Sequence, residues 1–179
     1  MSTRRVILFI AMSVDGYIAR EDGDIEFLSS MEAPGEDYGY GEFVKTVDTV
    51  IMGRKTYDKV MSFGIEFPHR GRKCYVLSRT RTGVDENVEF YDGDIRMLIG
   101  ELRSTQGLDI FIDGGSEVVF ELMQRNLIDR YIVSIIPTLV GKGIPLFRNG
   151  RPEQKLTLVR SQSYPSGLVQ LWYDRAEGA

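Results

Sequence analysis

The sequence predicts an α/β fold in which helices flank a mostly parallel sheet and an antiparallel hairpin closes the C-terminal end. Strand-like and helix-like segments alternate through residues 1–125, a pattern typical of parallel strands joined by helical crossovers. Residues 6–12 are apolar on both faces, as a central strand should be. Near the C-terminus two strand-like segments flank Pro165-Ser166-Gly167, which indicates a hairpin turn.

The composition is that of an ordinary globular protein. A length of 179 residues is typical of one domain, so residues 1–179 are treated as a single domain. The net charge of −4 argues against nucleic-acid binding, which favours a basic surface. One cysteine and one histidine allow no intrachain disulfide and no zinc site of the usual kind, so no metal is expected. The apolar N-terminal segment is too short to span a membrane, and we expect a cytoplasmic protein without membrane contact.

A polar loop and a short helix follow the first strand. Asp15-Gly16 is a turn signal directly after that strand, at the end where open α/β sheets bind ligands. Residues 25–31 predict a short helix with Asp24 as its N-cap. Residues 32–42 are rich in glycine and acidic side chains and predict a surface loop ahead of a second strand at residues 49–52.

The middle of the chain contains the clearest helical pattern. Gly53 ends the second strand, and a helix and a loop follow. The loop carries His69 among basic residues, which predicts a surface histidine rather than a ligand. Residues 73–77 and 88–91 predict two further strands. Residues 94–103 predict a helix because apolar side chains recur there at i, i+3, i+4 and i+7.

The last third of the chain predicts three strands. Residues 129–136 form an alternating strand, and residues 137–147 an irregular, glycine-rich crossing. Residues 156–164 and 168–174 form the two arms of the hairpin. We expect the aromatic pair Trp172-Tyr173 to pack in the core rather than to stack on a ligand.

Residues 109–117 predict a strand, a tight turn at Gly114-Gly115 and the start of a helix. Adjacent glycines let a ligand approach the backbone where any Cβ would obstruct it. The following helix would direct free N–H groups and the positive end of its dipole at the same spot, as phosphate sites do. Two glycines also serve as a plain turn, so the motif alone leaves both interpretations open.

Two more strand ends carry groups that suit an anion. Gly53-Arg54-Lys55-Thr56 places two cations and a hydroxyl at a predicted helix N-terminus, where cations are unfavourable unless an anion joins them. A solvated basic turn is the alternative. Ser78-Arg79 follows the next strand. In a parallel sheet these three strand ends share one edge, which favours an extended ligand with several phosphates. There is no G-x-G-x-x-G motif and no acid placed for a ribose diol, so NADPH is favoured over NADH.

Five motifs occur in the order found in one known family. They are Ala11-Met12-Ser13-Val14-Asp15-Gly16-Tyr17-Ile18-Ala19, Met52-Gly53-Arg54-Lys55-Thr56-Tyr57, Leu77-Ser78-Arg79, Ile112-Asp113-Gly114-Gly115 and the segment of residues 137–147. On these motifs the chain resembles the dihydrofolate-reductase-like family. It is most similar to the branch of the C-terminal reductase domain of the bifunctional riboflavin-biosynthesis deaminase–reductase.

The resemblance implies a three-layer α/β fold, NADPH as hydride donor and a set of cofactor-binding residues. Around the adenosine phosphates it places Gly53, Arg54, Lys55, Thr56, Leu77, Ser78 and Arg79. Around the pyrophosphate it places Gly114, Gly115, Ser116 and Glu117, and beside the nicotinamide Ala11, Gly16 and Ile18. Dihydrofolate reductases also carry a carboxylate in the first helix, where this chain has Ser29 or Ser30.

Reduction of a C=N bond needs a proton source as well as a hydride. Asp15 is the candidate that we name, because it adjoins the nicotinamide-side strand end; Glu36, Asp37 and Glu42 are further candidates. We expect an NADPH-dependent reductase of a small heterocyclic substrate, pyrimidine- or pterin-like, resembling 5-amino-6-(5-phosphoribosylamino)uracil reductase. The alternatives are a nucleotide-binding protein without efficient catalysis and an enzyme of the dihydrofolate reductase type. The late strands and residues 137–147 resemble a dimerising end, so a homodimer is a further expectation.

Overall fold

The computed structural model describes residues 4–176. In chain order the elements are β1 (Val6–Ser13), β2 (Tyr17–Arg20), a 3-10 helix (Glu26–Met31), α1 (Tyr40–Val44), β3 (Val47–Gly53), α2 (Arg54–Ser62), β4 (Lys73–Leu77), β5 (Gly83–Val84), β6 (Glu89–Tyr91), α3 (Ile95–Ser104), β7 (Asp109–Gly114), α4 (Ser116–Gln124), β8 (Arg130–Ile136), β9 (Gly143–Pro145), β10 (Leu156–Ser163) and β11 (Val169–Arg175).

Nine strands form one sheet in the order β10-β11-β8-β1-β7-β3-β4-β6-β5. The six strands from β8 to β6 are parallel to one another, whereas β10, β11 and β5 pair in the antiparallel sense. The predicted fold class is therefore confirmed, including the C-terminal hairpin. Because β1, β7, β3 and β4 are parallel neighbours, their carboxyl ends meet along one edge of the sheet.

Helices cover both faces of the sheet and make three layers. On one face the apolar sides of α3 and α4 pack on β1 and β7 through residues such as Leu98, Leu122 and Ile112. On the other face α1 and α2 pack through Phe43 and Tyr57. No helix in residues 4–176 combines the length and the apolar character that crossing a membrane requires.

Several local predictions are confirmed. The helix predicted over residues 94–103 is α3, and the structure adds that Asp94 is its N-cap, whose side chain accepts from the backbone N–H of Arg96 at 2.8 Å. The hairpin turn closes through the N–H of Gly167, which donates to Tyr164 O at 2.9 Å, and Gly167 has a positive φ of 87°. The Trp172-Tyr173 pair is half-buried and packs against the two core clusters on opposite faces of the sheet.

Two local predictions are wrong. Asp24 does not cap an α-helix: the segment is a 3-10 helix whose N-cap is Ile25, and Asp24 lies one position too early. Its carboxylate instead accepts from Glu26 N at 3.3 Å. The stretches predicted as loops around Tyr17 and Pro145 form a second, two-stranded sheet of β2 and β9. Tyr17 pairs with Pro145, which lies 128 positions later in the chain, and no local pattern reveals such a pairing.

Candidate functional site

The Gly114-Gly115 corner joins β7 directly to α4. The first intrahelical bond of α4 runs from Val119 N to Gly115 O at 3.0 Å, so the preceding N–H groups of the first turn have no helical acceptor. Gly114 is buried, its φ is +108°, and a Cβ there would lie 3.3 Å from Ile10 Cδ1. The peptide bond between the two glycines is cis. The corner thus exposes backbone donors where a side chain has little room.

A second helix N-terminus meets this corner. A Cβ on Gly115 would lie 3.1 Å from Thr56 Oγ1 in the first turn of α2, and 4.0 Å from Ile18 Cδ1. A Cβ on Gly53, the N-cap of α2, would lie 3.8 Å from Gly115 N. The structure therefore brings together the two glycine motifs and Ile18. Two positive helix ends that converge on one small gap favour an anion between them.

The cations beside this gap are held in place by acidic partners. Asp58 accepts from Arg54 Nη1 at 3.0 Å and from Arg81 Nη1 at 2.6 Å, so the two guanidinium groups share one carboxylate. Lys55 lies 3.9 Å from Glu117 across the gap, and both side chains are exposed. Two guanidinium groups on one carboxylate leave several N–H donors for phosphate oxygens.

At the end of β4, the Ser78 hydroxyl shapes the turn rather than facing a ligand. Ser78 is buried, and its Oγ accepts from the backbone N–H groups of Thr80 at 3.2 Å and Arg81 at 2.9 Å. Leu77 packs against the core, and Arg79 is exposed at the sheet edge. Ser78 thus fixes the turn that carries Arg79 and Arg81.

The side chains of Ser116 and Glu117 have partners of their own. Ser116 Oγ donates to Pro145 O at 2.6 Å and so ties α4 to β9. Glu117 lies 4.0 Å from Arg148 in addition to its contact with Lys55. Backbone N–H groups, rather than these side chains, are the donors that the corner offers to a ligand.

Asp15 lies in the turn after β1 and is fully engaged with its own loop. Its carboxylate accepts from Ser13 Oγ at 2.5 Å, from Gly141 N at 2.7 Å and from Val140 N at 3.0 Å. The Ser13 hydrogen bond is the main cause that lowers the pKa of Asp15, and the two backbone donors act in the same direction. This environment favours a structural role, because a carboxylate held in its ionised form has no proton to give. Gly16, with a φ of +87°, completes the turn.

The other acidic candidates serve the loop before α1. Glu36 accepts from Tyr38 N at 2.7 Å, and Asp37 accepts from the N–H groups of Gly39 and Gly41, both at 2.9 Å. Glu42 pairs with Lys45 at the exposed surface. Glu36 and Asp37 therefore stabilise the loop before α1, and Glu42 forms a surface ion pair.

A different carboxylate lies at the strand end beside the glycine corner. Asp113 precedes Gly114 and follows Phe111 by two residues, so its side chain lies on the sheet face covered by α1 and α2. Its Oδ2 is 2.9 Å from Nε2 of His69. The prediction that His69 is a surface residue is wrong: the side chain is 2% exposed and packs edge-on against Phe67 and Phe111. Arg70 and Lys73 are exposed, whereas the ring of His69 turns into the core.

Two weakly acidic groups lie within the field of Asp113. Burial raises the pKa of Tyr40 to about 12, and the charge of Asp113 adds to that shift. Burial likewise raises the pKa of Cys74 to about 12, with a smaller contribution from Asp113. Arg72, the nearby cation, donates to the carbonyl oxygens of Val44 and Val47. Both Tyr40 and Cys74 therefore stay neutral near pH 7.

A cleft of about 470 Å³ opens on this same face, between the 3-10 helix and the C-terminal half of α2. It is lined by Asp24, Ile25, Glu26, Leu28, Ser29, Glu32, Lys59 and Phe63. Ala11, half-buried on β1, packs with Phe27 and Met31 of the 3-10 helix. The cleft has the size of a small-molecule site.

The fold and this edge define a class of protein: a three-layer α/β protein with a dihydrofolate-reductase-like sheet and two helix N-termini that converge at its carboxyl edge. The chain belongs to the family of the RibD C-terminal domain, whose model matches residues 4–170.

Comparisons with individual proteins agree with this placement. The chain is 41% identical over 174 residues to the Bacillus subtilis (strain 168) protein named uncharacterized protein YwjB, covering 97% of this chain and 99% of that one. A protein of Shewanella sp. PV-4 described as a riboflavin biosynthesis protein has a structure with a TM-score of 0.88 and 30% identity, covering 97% and 99%. Dihydrofolate reductase of Enterococcus faecalis, complexed with NADP(H), has the same fold at a TM-score of 0.69 and 17% identity, with 97% of both chains covered.

Three residues of the site were missed at the sequence level. Asp113 carries a readable signal, because a carboxylate ends an apolar strand directly before Gly114-Gly115. Arg81 and His69 carry none, since each meets its partner across a loop, at Asp58 and Asp113 respectively.

Proposed function

We propose that the chain is an NADPH-dependent reductase of a pyrimidine- or pterin-like heterocycle. The observation that carries the proposal is the convergence of two helix N-termini at Gly53 and Gly115, directly beside the carboxylate of Asp113. One side of this edge suits a phosphate-rich cofactor, and the other offers an acid to a heterocycle. Membership of a riboflavin-type reductase family supports the same activity.

The residues at the corner fit such a cofactor. Gly53 and Gly115 keep this gap open: a Cβ on Gly115 would lie 3.1 Å from Thr56 Oγ1, and a Cβ on Gly53 would lie 3.8 Å from Gly115 N. Backbone N–H groups of α4 and α2 would hold the pyrophosphate, and Arg54 with Arg81 would hold the separate 2′-phosphate, for which forked guanidinium donors are suited. NADP(H) in the dihydrofolate reductase of the same fold is consistent with this assignment.

On the substrate side, the chain's own residues would orient the heterocycle and polarise its C=N bond. A bound NADPH would supply the hydride. The Asp113 carboxylate would accept hydrogen bonds from N–H groups of the heterocycle and so favour a protonated C=N group, which accepts hydride more readily. The resemblance puts Ser29 or Ser30 of the 3-10 helix where dihydrofolate reductases have their acid, and Asp113 would supply the carboxylate from β7 instead.

Cofactor preference tests the anion assignment. We expect the protein to bind NADPH at least about tenfold more tightly than NADH, a difference of about 1.4 kcal/mol. Arg54→Ala should abolish that preference, whereas Lys45→Ala should keep it, because Lys45 lies at the opposite, amino end of β3. Fluorescence titration of both cofactors measures this. Equal affinity of the wild-type protein for the two would refute the 2′-phosphate site.

Turnover tests the reaction itself. NADPH oxidation should be measured against 7,8-dihydrofolate, a phosphorylated ribosylaminopyrimidine and small cyclic imines. We expect turnover of at least one of them at about 1 s⁻¹ or faster, within the ordinary enzymatic range. Tight NADPH binding with no turnover of any member would favour the alternative, a nucleotide-binding protein without efficient catalysis.

We also propose that the chain forms a homodimer through its C-terminal hairpin. β10 lies at the edge of the sheet and exposes Leu156, Leu158 and Val159. Exposed apolar edge strands are ready surfaces for a second copy. Light scattering should give twice the chain mass, and Leu158→Lys should give the monomer; a monomeric wild-type protein contradicts the proposal.

A further inference from the structure

His69, the one histidine of the chain, is enclosed behind the carboxylate of Asp113. Its side chain is 2% exposed, and its ring contacts the edges of Phe67 and Phe111 at centroid distances of 5.5 and 5.6 Å. Nε2 lies 2.9 Å from Oδ2 of Asp113. Nδ1 is buried and has no hydrogen-bond partner among residues 4–176. The ring therefore has a single polar contact in this part of the chain.

The unpartnered nitrogen identifies the tautomer. A proton on Nδ1 would be a buried donor without an acceptor, which costs more than an unpaired lone pair on a ring nitrogen. The neutral ring with its proton on Nε2 avoids that cost and donates to the carboxylate of Asp113. A buried group that donates in one fixed direction holds its acceptor in one orientation.

The other groups around Asp113 leave this task to His69. Within residues 4–176, the hydrogen bond from His69 is the one that the Asp113 carboxylate has, and the Cys74 thiol on β4 is directed at the carbonyl oxygens of His69 and Arg72. Tyr40 on α1 and Cys74 carry no charge below pH 8, because burial raises the pKa of each to about 12. Arg72 is a permanent cation that donates to backbone carbonyl oxygens. Asp113 itself is 24% exposed, so one side of the carboxylate is held and the other is accessible.

We propose that His69 is a positioning residue of the reductase site. It donates Nε2–H to Oδ2 of Asp113 and presents the remaining oxygen to the N–H groups of a heterocycle bound beside Gly114-Gly115. The inference rests on the proposed function, since it deepens the role given there to Asp113. The ligand class it defines has two coplanar N–H donors, as in an amidine or a protonated C=N flanked by an amino group.

The tautomer can be measured without any turnover. A long-range ¹H–¹⁵N spectrum of the untagged, uniformly ¹⁵N-labelled protein contains imidazole signals from one residue, His69. We expect the Nε2–H form at pH 7, and a change of the ring signals in Asp113→Asn. An Nδ1–H form, or a spectrum unaffected by Asp113→Asn, overturns the proposal.

Two substitutions separate positioning from packing. His69→Phe keeps an aromatic ring between Phe67 and Phe111 but removes the donor, and His69→Gln restores a donor near the position of Nε2. The probe is 2,4-diaminopyrimidine, whose ring nitrogen and amino group present coplanar donors when protonated. We expect its affinity, measured by calorimetry, to fall about tenfold in His69→Phe and to return to within about threefold of wild type in His69→Gln.

Equal losses in both variants, equal affinities in all three proteins, or no binding to the wild type at millimolar concentration overturn the proposal. Failure of the reductase assay with these results intact would instead refute the proposed reaction.

Discussion

Two carboxylates stand at the ends of neighbouring parallel strands, Asp15 after β1 and Asp113 at the end of β7. Asp15 accepts three hydrogen bonds from its own turn and from the loop at residues 140–141. Asp113 accepts one, from a buried ring, and is left partly open beside the glycine corner. Two aspartates at the same edge of one sheet thus differ in how much of their hydrogen-bonding capacity is left for a ligand. A saturated carboxylate fixes a loop, whereas a half-satisfied one can still bind a ligand.

Asp113→Asn tests this comparison most strongly. The substitution keeps the shape and an acceptor for His69 but removes the charge that would favour a protonated C=N. We expect kcat/KM for the substrate to fall about 100-fold, as is typical for loss of an acid–base group, while the Kd of NADPH changes less than about threefold. Steady-state kinetics and cofactor titration measure the two effects.

Asp15→Asn is the matched control for that experiment. Its carboxylate is occupied by Ser13, Val140 and Gly141, so we expect kcat/KM to change by less than about fivefold, an effect of at most about 1 kcal/mol. A large loss in Asp15→Asn with an active Asp113→Asn would reverse the assignment of the two acids.

Gly115→Ala sharpens the contrast between the cofactor corner and the substrate side. The added Cβ would lie 3.1 Å from Thr56 Oγ1, in the gap between the two helix N-termini. We expect NADPH binding to weaken about tenfold, or about 1.4 kcal/mol. Gly100→Ala on α3 is the control, because nothing lies within 4 Å of its new Cβ and alanine favours the helix. Unchanged NADPH affinity in Gly115→Ala would place the cofactor elsewhere.

The predictions from the sequence succeeded for features that depend on neighbouring residues or on the fold class. The parallel pairing of the central strands follows from the alternation of strands and helices, and α3 follows from its helical spacing of apolar residues. The glycine motifs around Gly53 and Gly115 meet in space because parallel strands share an edge. These features depend on contacts that are local or that the fold class imposes.

The predictions failed where a side chain turns toward a partner that is remote in sequence. His69 lies among basic residues, and only tertiary packing directs its ring inward toward Asp113, 44 positions away. Asp15 was favoured for its place at a strand end, but its donors from Val140 and Gly141 come from a loop 125 and 126 positions later. Position at a strand end is visible in a sequence, whereas the saturation of a carboxylate is not.

The smallest expected effect is on stability. It tests whether Asp15 stabilises the fold by joining the turn after β1 to the loop at residues 140–141. The Ser13 hydroxyl and the two backbone donors hold the pKa of Asp15 below its ordinary value of 3.8. A carboxyl group whose pKa is lower in the folded state stabilises that state above pH 3.8, and this contribution is lost as the pH falls through the lowered value. The difference in unfolding free energy between wild type and Asp15→Asn should therefore be constant near neutral pH and should shrink at acid pH. Urea unfolding at a series of pH values from about 3 to 7 measures it. A difference that grows toward low pH would mean that Asp15 is stabilised in its protonated form, and the carboxylate would again become a candidate proton donor.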